Sequence, residues 1–363
     1  MSEHASSPDR YARQARVHGI GAEGQARIES GSVLVVGCGA LGCQVIDLLA
    51  RAGVGSLTLV DRDLVEWTNL QRQTLFDERD AREQTPKALA AARRVSEVNA
   101  SVRVGPHVLD VARESIEAVV RQAQPDVVAD CTDNFETRYL LNDLCVRDSL
   151  ALSYAGVVST RAMAMMVIPG QTPCLRCVFP EPPLPGETET CETAGVLGPA
   201  VGLAGSWQAA AILRRLASPG ERSRGVLLEA DVLEPRVRTI ELDGLSGADA
   251  RRQCPACGER RFEFLDGSRA ASETVMLCGS GSFQISRRLP REATGTNAKQ
   301  QMNLAALAAK LGGVSDLVQT PFFVRFAPAR GVQVTVFGDA RAIVRGVETE
   351  AQARSVYDRF IGS

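Results

Sequence analysis

A β-branched run, Ser32 to Val36, enters the glycine-rich turn G-C-G-A-L-G at Gly37 to Gly42 and leaves through the apolar, helix-like segment Leu41 to Ala52. A second strand-like run, Ser56 to Val60, ends at Asp61, roughly 20 residues beyond the turn. Strand, glycine turn, helix, strand and acid in that order predict a Rossmann-type unit with a nucleotide at its switch point. Gly37 allows the tight turn, Gly39 lets the backbone approach a phosphate, and Gly42 lets the helix pack on the strand. The positive end of that helix adds a preformed anion site. Asp61 is expected to accept hydrogen bonds from ribose hydroxyls, with a loop-capping acid as the plainer alternative.

The thirteen residues Asp61 to Gln73, D-R-D-L-V-E-W-T-N-L-Q-R-Q, then decide which nucleotide. A dehydrogenase needs little beyond the acid, whereas here Asn69, Arg72 and Gln73 follow as a polar cluster suited to phosphate. The expected ligand is ATP, not NAD. Arg72 offers a planar fork to phosphate oxygens, and Asn69 can position phosphate or a metal-bound water. Asp63 is read as a turn residue or an outer ligand. Lys87, in Q-T-P-K, opens a helix at Pro86 and is expected to contact a polyphosphate. Asp133, in C-T-D-N after the buried run Asp126 to Asp130, faces the crevice as a candidate Mg²⁺ ligand. Its competing role is N-cap of the following helix.

Further runs (Leu150 to Ala155 apolar, Ala88 to Val98 helical with Arg93 and Arg94 on its polar side) extend the strand–helix alternation. After Gly156, Arg161 to Ile168, Val226 to Leu233 and Val237 to Leu242 read as strands without helices between them, an antiparallel extension. Pro180 to Thr190 is proline-rich and acidic, an exposed mobile loop. The expected class is α/β, a Rossmann-like mostly parallel sheet with an antiparallel extension, over residues 1–266. Residues 267–363 read as a small α+β domain of β-α-β-β-α pattern: Thr274 to Ile285, Asn303 to Leu311, Phe322 to Phe326, Val332 to Val336, the short strand Ala342 to Val344, then Glu350 to Phe360.

Composition excludes several function classes. In 363 residues, 41 basic and 43 acidic side chains nearly cancel, against a nucleic-acid grip built on bulk charge. The uncharged run Thr193 to Leu213 carries Gly195, Gly198, Pro199, Gly202, Gly205 and Gln208, and reads as a buried helix, not a membrane span. No apolar core follows Met1, so no signal peptide is expected and a cytoplasmic location follows. The three histidines, His4, His18 and His107, have no nucleophile signature nearby, which argues against histidine acid/base catalysis. Ten cysteines without an export signal point to thiols or metal ligands before disulfides. Cys174-Leu-Arg-Cys177 and Cys254-Pro-Ala-Cys257 supply four thiolates, the complement of a closed structural Zn²⁺ site, with redox use as the rival.

G-x-G-x-x-G, then D-x-D-x-V-x-x-[ST]-N-L-x-R-Q, T-P-K and C-T-D-N in order resemble the ThiF/MoeB/HesA family of the ubiquitin-activating-enzyme superfamily, over Tyr11 to Gly258. The resemblance implies a homodimeric adenylyltransferase that uses Mg²⁺-ATP to adenylate the C-terminal glycine of a small β-grasp, ThiS- or MoaD-like sulfur carrier ending in Gly-Gly. By position, Gly39, Asp61, Asn69, Arg72, Gln73, Lys87 and Asp133 would hold ATP and Mg²⁺. Arg13, in R-Y-A-R-Q, would reach the phosphates from the partner subunit, against a plainer role in an N-terminal salt bridge. The resemblance also implies that the two C-x-x-C pairs meet at one Zn²⁺.

Cys191, in E-T-C-E-T-A-G-V, matches the position that accepts the activated acyl group in some members, as a thioester or acyl disulfide. Its neighbours Glu189 and Glu192 disfavour the thiolate, and the alternative is direct passage to a separate sulfurtransferase. Cys278 is read as a structural thiol in the tail. The expected pathway is thiamine or molybdopterin biosynthesis. One alternative is activation of a bacterial ubiquitin-like protein for conjugation or another sulfur-transfer route. Another is a non-catalytic nucleotide-binding assembly module.

Overall fold

A computed structural model describes residues 10–183, 189, 193–245, 253–268, 274–277, 282–285 and 302–361. The expectations for His4, Cys191, Glu192, Cys278 and most of the Pro180 to Thr190 loop lie outside the described residues. The chain divides into two compact units, Met1–Arg269 and Ala270–Ser363.

In the first unit, β1 (Ser32–Val36), β2 (Ser56–Asp61), β3 (Arg103–Val108), β4 (Val127–Asp130), β5 (Ala151–Val158), β6 (Arg161–Val167), β7 (Val226–Asp231) and β8 (Arg236–Glu241) make one sheet. Its order is β3-β2-β1-β4-β5-β6-β7-β8. Strands β3, β2, β1, β4 and β5 run parallel, and β5 to β8 pair antiparallel. The expected mixed sheet is therefore present. Its helices include α1 (Gly21–Ser30), α2 (Ala40–Ala52), α3 (Glu78–Glu83), α4 (Lys87–Val98), α5 (Arg113–Ala123), α6 (Phe135–Asp148), α7 (Leu175–Val178) and α8 (Gly198–Ala217), with a short turn of helix at Glu263–Asp266.

The strand period of two sorts β1 between two cores. Val33 and Val35 pack with α2, α4 and α8, while Leu34 and Val36 pack with α5 and α6. Burial on both faces is why these strands read as unbroken apolar runs. The uncharged run becomes α8, opened by a proline in its first turn and packed on α2. Gly205 permits that approach, since a Cβ there would stand 2.5 Å from Gln44 Cβ. Among the described residues no helix is long and apolar enough to cross a membrane.

Sheet order reverses direction between β1 and β4, and the turn after β1 lies against the end of β4. Gly37 N–H donates to the Val60 carbonyl at 2.8 Å, and Cys131 N–H to the Val36 carbonyl at 2.9 Å. Gly37 sits at φ 91°. A Cβ on it would come within 2.6 Å of the Cys131 carbonyl oxygen, and one on Gly42 within 2.0 Å of the Gly37 oxygen. The crevice of a doubly wound sheet forms at such a reversal.

The second unit is a six-stranded antiparallel sheet of order β11-β12-β13-β14-β10-β9. These are β9 (Thr274–Leu277), β10 (Ser282–Ile285), β11 (Ser315–Gln319), β12 (Phe323–Ala329), β13 (Val332–Phe337) and β14 (Ala342–Arg345). Helices Leu304–Lys310 and Glu350–Phe360 cover the face bearing Phe283, Val324, Phe326, Val334 and Val336. Two expectations are corrected here. Thr274 to Ile285 is not one strand but an antiparallel pair, Thr274–Leu277 with Ser282–Ile285, and the sequence between them carries two glycines, a turn signal that outweighs the apolar run. A further strand, β11, precedes Phe322, and all five of its residues are exposed, which erases the alternation that reveals a strand.

Candidate active site

Asp61 ends β2 and ties it to the glycine turn. Its Oδ2 accepts the Cys38 N–H at 2.6 Å, and its Oδ1 the Asp63 N–H at 2.7 Å. A carboxylate has about four acceptor directions, so each oxygen keeps one for a hydroxyl. Burial pushes this carboxyl up, and Lys87 opposes that shift.

Lys87 opens α4 and is buried at 7 % exposure. Its Nζ meets Asp63 Oδ2 at 3.0 Å, and its backbone N–H donates to the Asp63 carbonyl at 2.9 Å. Burial works against its charge, but Asp63, Asp61 and Asp133 outweigh it and hold the ammonium above its ordinary value. Asp63 is thus the resident counter-ion of Lys87, a more definite role than turn residue. Arg62 joins the cluster through Asp110 at 3.0 Å and Asp63 at 3.7 Å.

Trp67–Asn69 forms a short 3₁₀ turn in place of an irregular loop. Asn69 Oδ1 accepts the Glu66 N–H at 3.0 Å, and its carbonyl accepts from Arg72 and Gln73 N–H at 3.1 and 3.0 Å. The amide oxygen therefore braces the turn. Arg72 is half-buried and donates from Nη1 to the Thr68 carbonyl at 2.9 Å. Gln73 is buried, with an Oε1 that has no hydrogen-bond partner. Among the described residues beyond Gly39's chain neighbours, its Nε2 is the one atom within 4 Å of where a Cβ on Gly39 would stand, at 3.9 Å. Gly39 caps α2, so open space lies over the positive end of a helix.

Asp133 follows β4 at the same edge. It is exposed and makes no hydrogen bond or ion pair with another described residue. The competing N-cap role belongs to Asn134, whose Oδ1 accepts the Thr137 N–H at 2.8 Å. The charge of Asp133 reaches Lys87 and Arg62.

Arg13 lies elsewhere. Gln14 donates to the Ala52 carbonyl at 3.0 Å, and Asn99 bridges the Tyr11 hydroxyl at 2.7 Å and the Ala50 carbonyl at 2.8 Å. Both anchors fix the segment carrying Arg13 at the C-terminal end of α2, while the glycine turn holds the other end. At 1.5 Å per residue, this helix separates them by about 20 Å. Arg13 is exposed and forms no salt bridge with another described residue.

The four cysteines of the two C-x-x-C pairs converge, all Sγ atoms lying within 4.8 Å of one another. Cys174–Cys254, Cys177–Cys257 and Cys174–Cys177 stand at 3.5, 3.4 and 3.8 Å. These are well beyond the ~2.05 Å of a disulfide, and near the ~3.8 Å edge of a tetrahedron with 2.3 Å metal–sulfur bonds. Arg176, fully buried between the first pair, donates to Glu263 at 3.0 Å and the Pro180 carbonyl at 3.3 Å. Asn142 Oδ1 accepts the Leu175 N–H at 2.9 Å, and Asp143 Oδ2 the Phe264 N–H at 3.1 Å.

Sequence reasoning missed Arg62, Asp110, Arg138 and the buried trio Asn142, Asp143 and Arg176. Arg62 stood inside the segment singled out, flanked by two acids. Asp110 follows β3, which Gly105 and Pro106 disguise, and a proline is tolerated there because β3 is the sheet edge.

Residues 11–255 match the family model described as the ThiF family. The chain is 35% identical over 354 residues to the sulfur carrier protein ThiS adenylyltransferase of Bacillus subtilis, covering 97% of this chain and 99% of that one. It is 40% identical over 266 residues to the SAMP-activating enzyme E1 of Haloferax volcanii, covering 73% and 94%. The adenylyltransferase and sulfurtransferase MOCS3 of Xenopus laevis is 37% identical over 282 residues, 75% of this chain but only 60% of its own length. Among solved structures, E. coli MccB with ATP superposes with a TM-score of 0.58 at 23% identity, covering 69% of this chain and 75% of that one, a likeness of fold. On this match and these identities, the chain belongs to the ThiF family.

Proposed function

We propose that this protein is an ATP-dependent adenylyltransferase that activates the C-terminal glycine of a small β-grasp sulfur carrier, ThiS- or MoaD-like, for thiamine or molybdopterin biosynthesis. The observation that carries the reading is the pairing, at one switch point, of a held-charged Lys87 with an uncommitted Asp133. A cation for phosphate and a free carboxylate for a metal are what Mg²⁺-ATP requires. Its near-complete alignment with the B. subtilis relative adds support.

In this reading Asp61 takes the ribose, and the open backbone at Gly39 takes phosphate on the helix dipole. Arg72, Asn69, Gln73 and Lys87 carry the polyphosphate, Lys87 exchanging Asp63 for phosphate oxygens. Asp133 would hold Mg²⁺, which when bound neutralises phosphate charge. A carrier carboxylate oxygen attacks the α-phosphorus, the bond to pyrophosphate breaks, and the acyl-adenylate remains. Such transfer rests on charge neutralisation and positioning, consistent with the scarcity of histidine. The acyl group then passes either to Cys191, expelling AMP, or to a separate sulfurtransferase.

Arg13 serves the site of a second subunit in a homodimer, because its own crevice lies a helix length away. The four cysteines form a structural Zn²⁺ site: the donor set is all thiolate and the spacing fits. Carrier-dependent ATP–pyrophosphate exchange tests the function. Absence of exchange with every Gly-Gly-ended carrier tried would sink it.

A further inference from the structure

Three consecutive residues after β4 differ in what holds them. Thr132 is held at three atoms: its N–H and hydroxyl donate to Asp130 Oδ1 at 3.0 and 2.6 Å, and its carbonyl accepts from Arg138 Nη2 at 2.6 Å. Asn134 is engaged as the cap of α6. Asp133, between them, is exposed and makes no hydrogen bond or ion pair with another described residue.

The groups that clamp Thr132 are themselves fixed. Asp130 is completely buried, and its Oδ2 stands 3.9 Å from Arg138 Nε. Arg138 also donates from Nη1 to the Tyr154 hydroxyl at 3.3 Å. Its guanidinium lies 5.2 Å from the Tyr154 ring centre and 5.7 Å from that of Phe135. One planar fork thus spans Thr132, Tyr154 and Asp130, a task that a lysine ammonium cannot reproduce. The backbone on either side of Asp133 is held from both directions.

We propose that Arg138 and Asp130 are positioning residues for Asp133, locking the Thr132–Asp133 peptide so that this carboxylate stays set for the Mg²⁺ of the nucleotide. The inference rests on the reading of Asp133 as the metal ligand. Mg²⁺ demands near-ideal octahedral geometry and tolerates a wandering carboxylate poorly. Outer partners that orient a ligand change metal affinity by about 10–100-fold.

Mn²⁺ is the probe, titrated into the full-length protein with a non-hydrolysable ATP analogue and followed by the EPR signal of free Mn²⁺. Arg138→Met should weaken Mn²⁺ binding about tenfold or more, while analogue affinity without metal stays within about twofold of wild type. Arg138→Lys should recover only part of the loss, and Asp130→Asn, close to isosteric, should reproduce it. Adding Arg138→Met to Asp133→Asn should cost nothing further, because both act through one carboxylate. Wild-type Mn²⁺ binding by Arg138→Lys and Asp130→Asn, with Asp133→Asn impaired, overturns the positioning role alone. Wild-type binding by Asp133→Asn overturns the metal assignment beneath it.

Discussion

The nucleotide crevice and the cysteine knuckle occupy the same compact unit and use the same materials, buried charge, amides and thiols, in opposite ways. In the knuckle most contacts turn inward: four sulfurs face one another, and Arg176, Asn142 and Asp143 are joined to the backbone or side chains around them, although Arg176 Nη1 is buried without a hydrogen bond. In the crevice the contacts stop short. Asp133 faces solvent, Gln73 Oε1 is buried without a hydrogen bond, and Lys87 is held by a counter-ion that a phosphate can replace. Polar groups turned on one another serve architecture, whereas an exposed carboxylate and an exchangeable ion pair suit a ligand.

That contrast can be broken experimentally. Asp133→Ala should reduce carrier-dependent ATP–pyrophosphate exchange by about 10³-fold, with Tm almost unchanged because the side chain is exposed and unengaged. A parallel fall in Tm would erase the distinction between the regions. Cys254→Ser should do the reverse, releasing zinc measured by metal analysis and lowering Tm by about 10 °C or more, with exchange by the folded protein within about threefold of wild type.

Asp143 offers a subtler measure. Burial pushes its carboxyl from 3.8 up to about 6, partly offset by the Phe264 N–H. Between those values the folded state holds a proton that the unfolded state has lost, so stability falls as pH rises through the window and stays low above it. Asp143→Asn keeps an acceptor for Phe264 and removes the charge. It should therefore stabilise by about 2 kcal/mol at pH 8 and by little at pH 4. Denaturant unfolding at both pH values checks this, and equal gains at both would refute the ionisation argument. The smallest effect expected is from ending the chain after Arg269: exchange should stay within about threefold, since the second unit has its own core.

Much of the crevice was legible because its residues cluster in sequence where parallel strands end. Gly37 and Asp133 each follow, and Asp61 ends, a strand directed toward the same sheet edge, so reading strand ends located the candidate site. The knuckle was legible only as ligand types, since the two cysteine pairs are brought together by the fold. Its supporting residues were not, because α6 is buried almost all round from Tyr139 to Val146 and shows no polar stripe against which Asn142 and Asp143 would stand out. The second unit was least legible, its edge strand β11 having no buried face to set a pattern.

Arg13 at the far end of α2 has a consequence for how activity would be inherited by mixed assemblies. If each catalytic centre is a composite of two chains, Arg13→Ala and Asp133→Ala proteins are each inactive alone yet complement one another. Random re-pairing of an equal mixture yields half heterodimers, each with one intact centre of two, so about a quarter of wild-type activity should return. Dilution below the dimer dissociation constant should then silence the wild-type enzyme without unfolding it, making subunit concentration a control on carrier activation.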